Sequence, residues 1–381
     1  KRHVVVEERM NRIAEDANKM ALNRIEMGTD KSIGIIVSGV AYQYAREAMP
    51  EASFLKLGMV HPLPKKMIEE FAKKVDRIVV LEELEPVIEE QIRAWGIEVE
   101  GKELFTRQGE YSASMIGKAL GQGETDSETL AELPVRPPVM CPGCPHRGVY
   151  YAMNRLKLGA MGDIGCYTLG ALPPLSAIES CVCMGASIGM AHGMDKARGE
   201  DISEKMVAVI GDSTFFHSGV TGLIDVVYNS GCSTVLILDN RTTGMTGHQN
   251  HPGTGKNIKG DAAPAIDIEA LARAIGVTDI QTVDPFDIEG TKAALKRAVQ
   301  TKAPSVVISK RACALLDRKK NVTPFVIDTD TCTQCGMCLK LGCPAIQKKG
   351  GGMVIDASLC VACGLCQSVC KFGAIGGETH E

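Results

Sequence analysis

The sequence predicts an α/β chain in three parts: two α/β units on parallel sheets, then a small cysteine-rich α+β module. Three observations carry that expectation. Strand-length apolar runs alternate with helical stretches in two separate blocks, the pattern of buried parallel strands joined by helices. A polar, proline-bearing stretch divides the blocks. Eight of the 15 cysteines crowd into the last fifty residues.

A chain of 381 residues is long for one compact domain, so two or three are expected. The net charge of −4 gives no basic excess for nucleic acid and no acidic tail for disorder. The longest apolar runs, MVAVIG and TVLILD, fall far short of a membrane span. With no secretory leader in view, a cytoplasmic location without membrane or nucleic-acid partners is expected. The first residue is Lys1 rather than Met, which reads as a start downstream of a removed segment.

The first unit is expected over residues 1–120. Residues 1 to about 30 read as a charged amphipathic helix with an irregular exit. From Lys31 to Gly117, IGIIVSGV, SFLKLGMV and RIVVLEE read as strands. YQYAREAM and PKKMIEEFAKKV read as helices, the latter opened by Pro64. Glu82 and Glu83 read as a solvated strand end. Residues 121–138 form the linker, and 139–320 the second unit, with strands MVAVIGD, TVLILDN and SVVISK.

The module over 321–381 carries two cysteine runs. CTQCGMCLKLGCPAI contains Cys332, Cys335, Cys338 and Cys343; CVACGLCQSVCKFGAI contains Cys360, Cys363, Cys366 and Cys370. In two-cluster ferredoxins, three closely spaced thiolates hold one [4Fe–4S] cube and the fourth serves the other. That rule assigns Cys332, Cys335, Cys338 and Cys370 to one cluster, and Cys343, Cys360, Cys363 and Cys366 to the second. The first run has one residue more than usual before its Cys-Pro, and the second ends in Cys-Lys; neither departure removes a ligand. Structural zinc is the competing reading, since Cys-x-x-Cys also suits it.

In the second unit MVAVIGD ends at Gly211-Asp212-Ser213 and TVLILDN at Asp239-Asn240. Parallel strands bring both ends to one carboxyl edge, where open α/β folds bind ligands, with VTGLIDVVYNSG as the crossover helix. An aspartate and an asparagine there suit Mg²⁺, a hard cation shared with phosphates. The loop RTTGMTGHQ lets backbone approach a diphosphate closely. Ahead of this motif stands CPGCPHR, with Cys141 and Cys144; Cys166 lies in GDIGCYTLG and Cys313 follows SVVISKRA. Four such thiolates suit a further [4Fe–4S] cluster, with zinc or unligated core thiols as the rival. His217 and His248 fall in loops at the same edge, as acid–base or substrate-carboxylate candidates or as structural histidines. His146 and Arg147 would meet an anionic substrate or orient the cluster loop. Cys181, Cys183 and Cys232 lack a partner pattern and read as small core residues.

The strand–helix–strand with Gly-Asp-Ser and Asp-Asn resembles the thiamine diphosphate (ThDP) binding fold, whose signature is Gly-Asp-Gly followed by Asn-Asn. Ser213 and Asp239 depart from it. The resemblance implies that Asp212, Asn240 and the Thr242 carbonyl hold Mg²⁺. It also implies cofactor contacts at Gly165, Cys166, Tyr167, Met184, Gly211, Ser213, Thr246 and Gly247. Taken together, CPGCPHR, GDIGCYTLG, CMGASIGMAHG, GDSTFFHSGVTGLI, LDNRTTGMTGHQ and the double cysteine run resemble the alpha subunit of indolepyruvate:ferredoxin oxidoreductase, a 2-oxoacid:ferredoxin oxidoreductase. VSGVAYQY, LKLGMVHPLP and VVLEELEP fit that family's transketolase-C-terminal-like domain.

The resemblance implies anaerobic oxidative decarboxylation of aryl 2-oxoacids such as indolepyruvate, in aromatic amino acid catabolism. Coenzyme A would take the acyl group, and external ferredoxin the electrons, by way of a cluster at Cys141, Cys144, Cys166 and Cys313. A beta subunit is implied as partner. The family's alpha subunit normally opens with a pyrimidine-binding domain that this sequence lacks, so the chain alone is expected to be inactive. Two other classes stay open: a non-oxidative ThDP decarboxylase with a fused ferredoxin module, and a purely electron-transferring subunit.

Overall fold

The computed structural model describes residues 1–122, 135–317 and 322–377. The chain divides into two compact units, Lys1–Pro134 and Val135–Glu381. Much of the expected linker, 123–134, lies outside the described residues.

In the first unit α1 (Arg2–Ala17) is followed by β1 (Arg24–Glu26), β2 (Ile33–Ser38), α2 (Ala41–Ala48), β3 (Ser53–Leu57), α3 (Lys65–Ala72), β4 (Arg77–Leu81), α4 (Val87–Ala94) and α5 (Ala113–Ala119). The sheet order is β1-β3-β2-β4, with β2 parallel to both neighbours. Ile35 and Val37 pack with Phe54 and Val79 on one face, and Ile36 with Leu55 and Val80 on the other. Burial on both faces is why these strands read as unbroken apolar runs. The expectation for residues 1 to 30 needs correcting. The helix stops at Ala17, and Arg24–Glu26 is an antiparallel edge strand on β3. Buried Asn23 fixes that exit, its side-chain oxygen accepting the Gly58 and Met59 N–H groups at 2.9 and 3.0 Å. Glu82 is not solvated either: it is buried and accepts the N–H groups of Ile88 and Glu89 at 2.8 and 2.9 Å. It thereby closes the first turn of α4, where a carboxylate also meets the positive end of the helix dipole.

The second unit opens with α6 (His146–Leu156), β5 (Gly159–Gly162), β6 (Ile178–Cys181), α7 (Ala186–Arg198), α8 (Glu200–Ser203) and β7 (Met206–Gly211). The single turn α9 (Asp212–Thr214) leads through a π turn at Phe215–Gly219 into α10 (Val220–Tyr228). Then come β8 (Thr234–Asp239), α11 (Ile268–Ile275), β9 (Asp279–Val283), α12 (Ile288–Gln300) and β10 (Ser305–Lys310). The sheet is parallel in the order β6-β5-β7-β8-β10-β9. The expected strands are its contiguous centre, β7, β8 and β10. Clusters around Val209 and Leu238 on one face, and Ile210 and Ile237 on the other, sandwich it.

The cysteine module folds onto this unit. Its strands β11 (Val326–Ile327) and β14 (Ile375–Gly376) pair antiparallel, as do β12 (Ile346–Lys349) and β13 (Gly352–Ile355), with α13 (Leu365–Val369) between. Its core closes on Tyr151 of α6 and Ile288 of α12. Among the described residues no helix is long and apolar enough to cross a membrane. Cys181 and Cys183 are exposed, contrary to the core expectation, because Cys181 ends an edge strand and Cys183 lies just beyond it. Cys232 is half-buried and its thiol donates to Asp195 at 2.8 Å.

Candidate cofactor and electron-transfer site

Pairing of Gly211 with Leu238 brings the next residues, Asp212 and Asp239, to the same sheet edge. Both carboxylates are buried. Asp212 accepts the Ser213 N–H at 2.8 Å with one oxygen; the other accepts the Arg241 N–H at 2.8 Å and lies 3.1 Å from His251 Nε2. Asp239 also accepts from the Arg241 N–H, at 3.3 Å. Burial, then repulsion from Asp212, pushes the Asp239 carboxyl above its usual range. Arg241 partly relieves that repulsion, its Nε lying 3.4 Å from an Asp239 oxygen. Asn240 adds a neutral oxygen that accepts the Thr242 N–H at 3.2 Å, and its amide nitrogen lies 3.4 Å from His146 Nε2. Burial lowers His146 to about 4, against the pull of Asp212, so its imidazole is neutral and Nε2 can accept from that amide. This donor set fits Mg²⁺.

A cavity opens beside these side chains. Gly165, Cys166, Tyr167 and Met184 wall one side of it; Gly211, Asp212 and Ser213 come from the end of β7; Asn240, Thr242 and Thr246 come from the loop after β8. Gly247, at φ +113°, belongs to that loop but is not on the wall. Of the two histidine candidates, His217 is exposed, 3.2 Å from the Ser218 hydroxyl, and off the wall. His248 is likewise off the wall; it is half-buried and left-handed at φ +63°, and its Nδ1 is buried without a partner.

Asp163 escaped the sequence reading. It is fully buried and accepts the N–H groups of Ile164 and Gly185 at 2.8 Å and of Ser187 at 3.2 Å. It thus ties the Cys166 loop to the start of α7. The GDIG context was the available signal, but only the folded chain brings Gly185 to it. Tyr167 fills the gap between loop and sheet: a Cβ on Gly165 or Gly211 would lie 2.4 or 2.5 Å from its ring. His251 was likewise invisible as a member of this group, whereas His146, read from the sequence as a substrate contact or a loop-orienting residue, lines the cavity beside Asn240.

The thiols gather in three places. Burial, with Cys141 and Cys313 nearby, pushes Cys144 up to about 12, and burial with Cys313 and Cys141 also raises Cys166. These four thiols therefore share one neighbourhood, and Cys166 stands in the cavity wall as well. In the terminal module Cys332, Cys335, Cys338 and Cys370 surround one cavity, and Cys343, Cys360, Cys363 and Cys366 another. Among the described residues no three His, Cys, Asp or Glu side chains converge closely enough for one metal ion. Thiols around a cavity fit a four-iron cube better than zinc, whose four sulfurs would stand about 2.3 Å from a single centre. Burial, with Cys363, Cys343 and Cys360, raises Cys366 to about 12, so ligation there requires cationic iron to favour the thiolate.

Comparisons with known proteins agree with this arrangement. Residues 163–309 match the family described as thiamine pyrophosphate enzyme, C-terminal TPP binding domain, and 353–376 match the 4Fe-4S binding domain. The indolepyruvate oxidoreductase subunit IorA of Methanothermobacter thermautotrophicus is 37% identical over 98% of this chain and 64% of its own length. The same subunit from Archaeoglobus fulgidus is 38% identical over 89% of this chain and 58% of its own. That from Pyrococcus horikoshii is 36% identical, over 91% and 60%. The chain therefore spans about 60% of the curated relatives it matches. A solved 2-oxoglutarate:ferredoxin oxidoreductase from Magnetococcus marinus overlaps 48% of this chain and 66% of that chain at 19% identity, with a TM-score of 0.40, too loose to bear on function. Over about nine-tenths of its length or more, the chain is similar to indolepyruvate oxidoreductase IorA subunits.

Proposed function

We propose that this chain carries the ThDP diphosphate site and the electron-transfer clusters of a 2-oxoacid:ferredoxin oxidoreductase acting on aryl 2-oxoacids, indolepyruvate among them. The observation that carries the reading is the double placement of Cys166, in the cofactor cavity wall and among the thiols of Cys141, Cys144 and Cys313. A non-oxidative decarboxylase has no use for that adjacency.

When bound, ThDP supplies the electron sink for decarboxylation and the clusters accept electrons singly. The chain's own residues do the rest. Asp212, Asn240 and the Thr242 carbonyl would hold Mg²⁺, and His146, kept neutral by burial, orients the Asn240 amide. Asp163 and the Tyr167 ring hold the Cys166 loop against the sheet edge. His248, with its unpartnered buried Nδ1, is the better placed of the two histidines to meet a substrate carboxylate. A beta subunit, a pyrimidine-binding domain, coenzyme A and external ferredoxin complete the reaction to arylacetyl-CoA and CO₂, in anaerobic, cytoplasmic catabolism of aromatic amino acids.

Anaerobic purification with iron and sulfide quantification tests the reading. About twelve irons per chain are expected from three four-iron clusters. About eight would remove the cluster at Cys166, and zinc in place of iron would sink the reading altogether. Mg²⁺-dependent ThDP binding by the same protein is the companion measurement.

A further inference from the structure

Arg147 follows the CPGC turn on α6, and only 2% of it is exposed. Its Nε donates to the Cys141 carbonyl at 3.1 Å, one terminal nitrogen to the Met140 carbonyl, and the other to the carbonyls of Leu341, at 3.1 Å, and Gly342. Every acceptor is a neutral backbone carbonyl, and among the described residues no carboxylate pairs with this guanidinium. Four of the five guanidinium N–H groups are engaged in this way and the side chain is buried, which leaves an anionic substrate little to meet here.

A buried cation without a counter-charge is strongly unfavourable. Burial indeed lowers the Arg147 pKa, and the thiols that would offset its charge once they are cluster-bound thiolates belong to two different sets: Cys343 and Cys363 of the terminal module, Cys144 and Cys141 of the CPGC turn. The four carbonyls divide the same way, two from 140–141 and two from 341–342. The two sets also touch: a Cβ on Gly143 would lie 3.5 Å from Cys363 Cβ and only 2.6 Å from Val361 Cγ2. Gly143 itself sits at φ +72°, so the turn's close approach needs glycine twice over. The cavity of Cys343, Cys360, Cys363 and Cys366 is in turn walled by Gly143 and Arg147, whereas that of Cys332 and Cys370 is bounded by the terminal module alone.

We propose that Arg147 is a positioning residue that staples the CPGC cluster site to the Cys343 cluster site and serves both clusters as a shared counter-cation. The proposal rests on the functional reading above, since it needs clusters at both places. A fixed positive charge stabilises the more negative, reduced form of each cluster and so raises both reduction potentials, most at the two sites it walls or bonds and least at the Cys332 site, whose cavity it does not line.

The test is an EPR-monitored redox titration of the anaerobically prepared full chain as wild type, Arg147→Gln and Arg147→Lys. Signals are assigned by their loss in Cys166→Ser, Cys360→Ser and Cys335→Ser. Arg147→Gln is expected to weaken reduction of the two inner clusters at least about tenfold, or about 59 mV for one electron, and to leave the Cys332 signal in place. Arg147→Lys keeps the charge and should hold both potentials near wild type. Should Arg147→Gln fail to assemble, iron analysis should locate the loss at the two inner sites only, with Arg147→Lys restoring it. Unchanged potentials in Arg147→Gln, an equal shift of all three clusters, or a lysine variant as defective as the glutamine one would each overturn the proposal. Absence of reducible clusters in the wild type would instead overturn the functional reading beneath it.

Discussion

Asp212 engages three donors within a few ångströms, and its charge is the one a diphosphate-bound cation would need. Asp212→Asn keeps the shape and removes the charge. Mg²⁺-dependent ThDP affinity, followed by calorimetry, should fall by at least about tenfold, because one ionic ligand is lost from a hard-cation site. Far-UV circular dichroism should stay unchanged. Glu82 offers a test of a different kind. Burial holds its carboxyl above the ordinary value of 4.5, although the α4 N–H groups and Lys102 pull it down. The folded state thus binds this proton more tightly than the unfolded chain. Its contribution to stability is complete below 4.5 and is lost as pH rises through the raised value. Glu82→Gln abolishes that titration, so its stability relative to wild type should improve as pH climbs above 4.5. Denaturant unfolding read by Trp95, the only tryptophan and the C-cap of α4, would measure it. A pH-independent difference would contradict the assignment of Glu82 as a buried cap.

At the scale of elements, what could be read from the sequence follows from how each strand is buried. TVLILD and SVVISK lie between two layers and read as unbroken apolar runs, so β8 and β10 were legible, as was β7. GAMG, IESC and DIQTV are short, glycine-bearing or part-polar, so β5, β6 and β9 left no period to find. The cysteine spacings were legible because covalent neighbours set them. Asp163 and His251 were not, since each acquires its partner only when distant loops meet at one sheet edge; His146 was named, but its pairing with Asn240 was not. The packing between Tyr167 and two glycines is likewise a tertiary fact, and it can be tested. Gly165→Ala and Gly211→Ala each push a methyl into the same ring, which also donates to the Ile164 carbonyl at 3.0 Å. Overpacking of this sort costs about 1–3 kcal/mol. Because one ring movement relieves both, the double variant should cost less than the sum of the singles in thermal unfolding. Strict additivity would mean that the two glycines do not share the ring.

On the scale of the whole molecule, the sheet edge and the terminal module are made continuous by single residues: Cys166 between cavity and CPGC thiols, Gly143 and Arg147 between those thiols and the Cys343 set. Interrupting the line at either end gives different results. Cys166→Ser should lower iron from about twelve to about eight per chain, leave Mg²⁺-dependent ThDP binding within about twofold of wild type, and remove the acceptor nearest the cofactor. On the function proposed above, and with a partner subunit and a pyrimidine-binding domain supplied, such a variant should still consume indolepyruvate. It should release aldehyde in place of reduced dye and acyl-CoA, because decarboxylation needs no external oxidant and the later electron removal does. Cys363→Ser also removes about four irons but leaves the CPGC cluster. It should permit a single round of electron uptake, seen as a burst of reduced CPGC cluster, with dye reduction blocked thereafter. Identical product profiles for the two variants would mean that the clusters do not act in series, whatever their number.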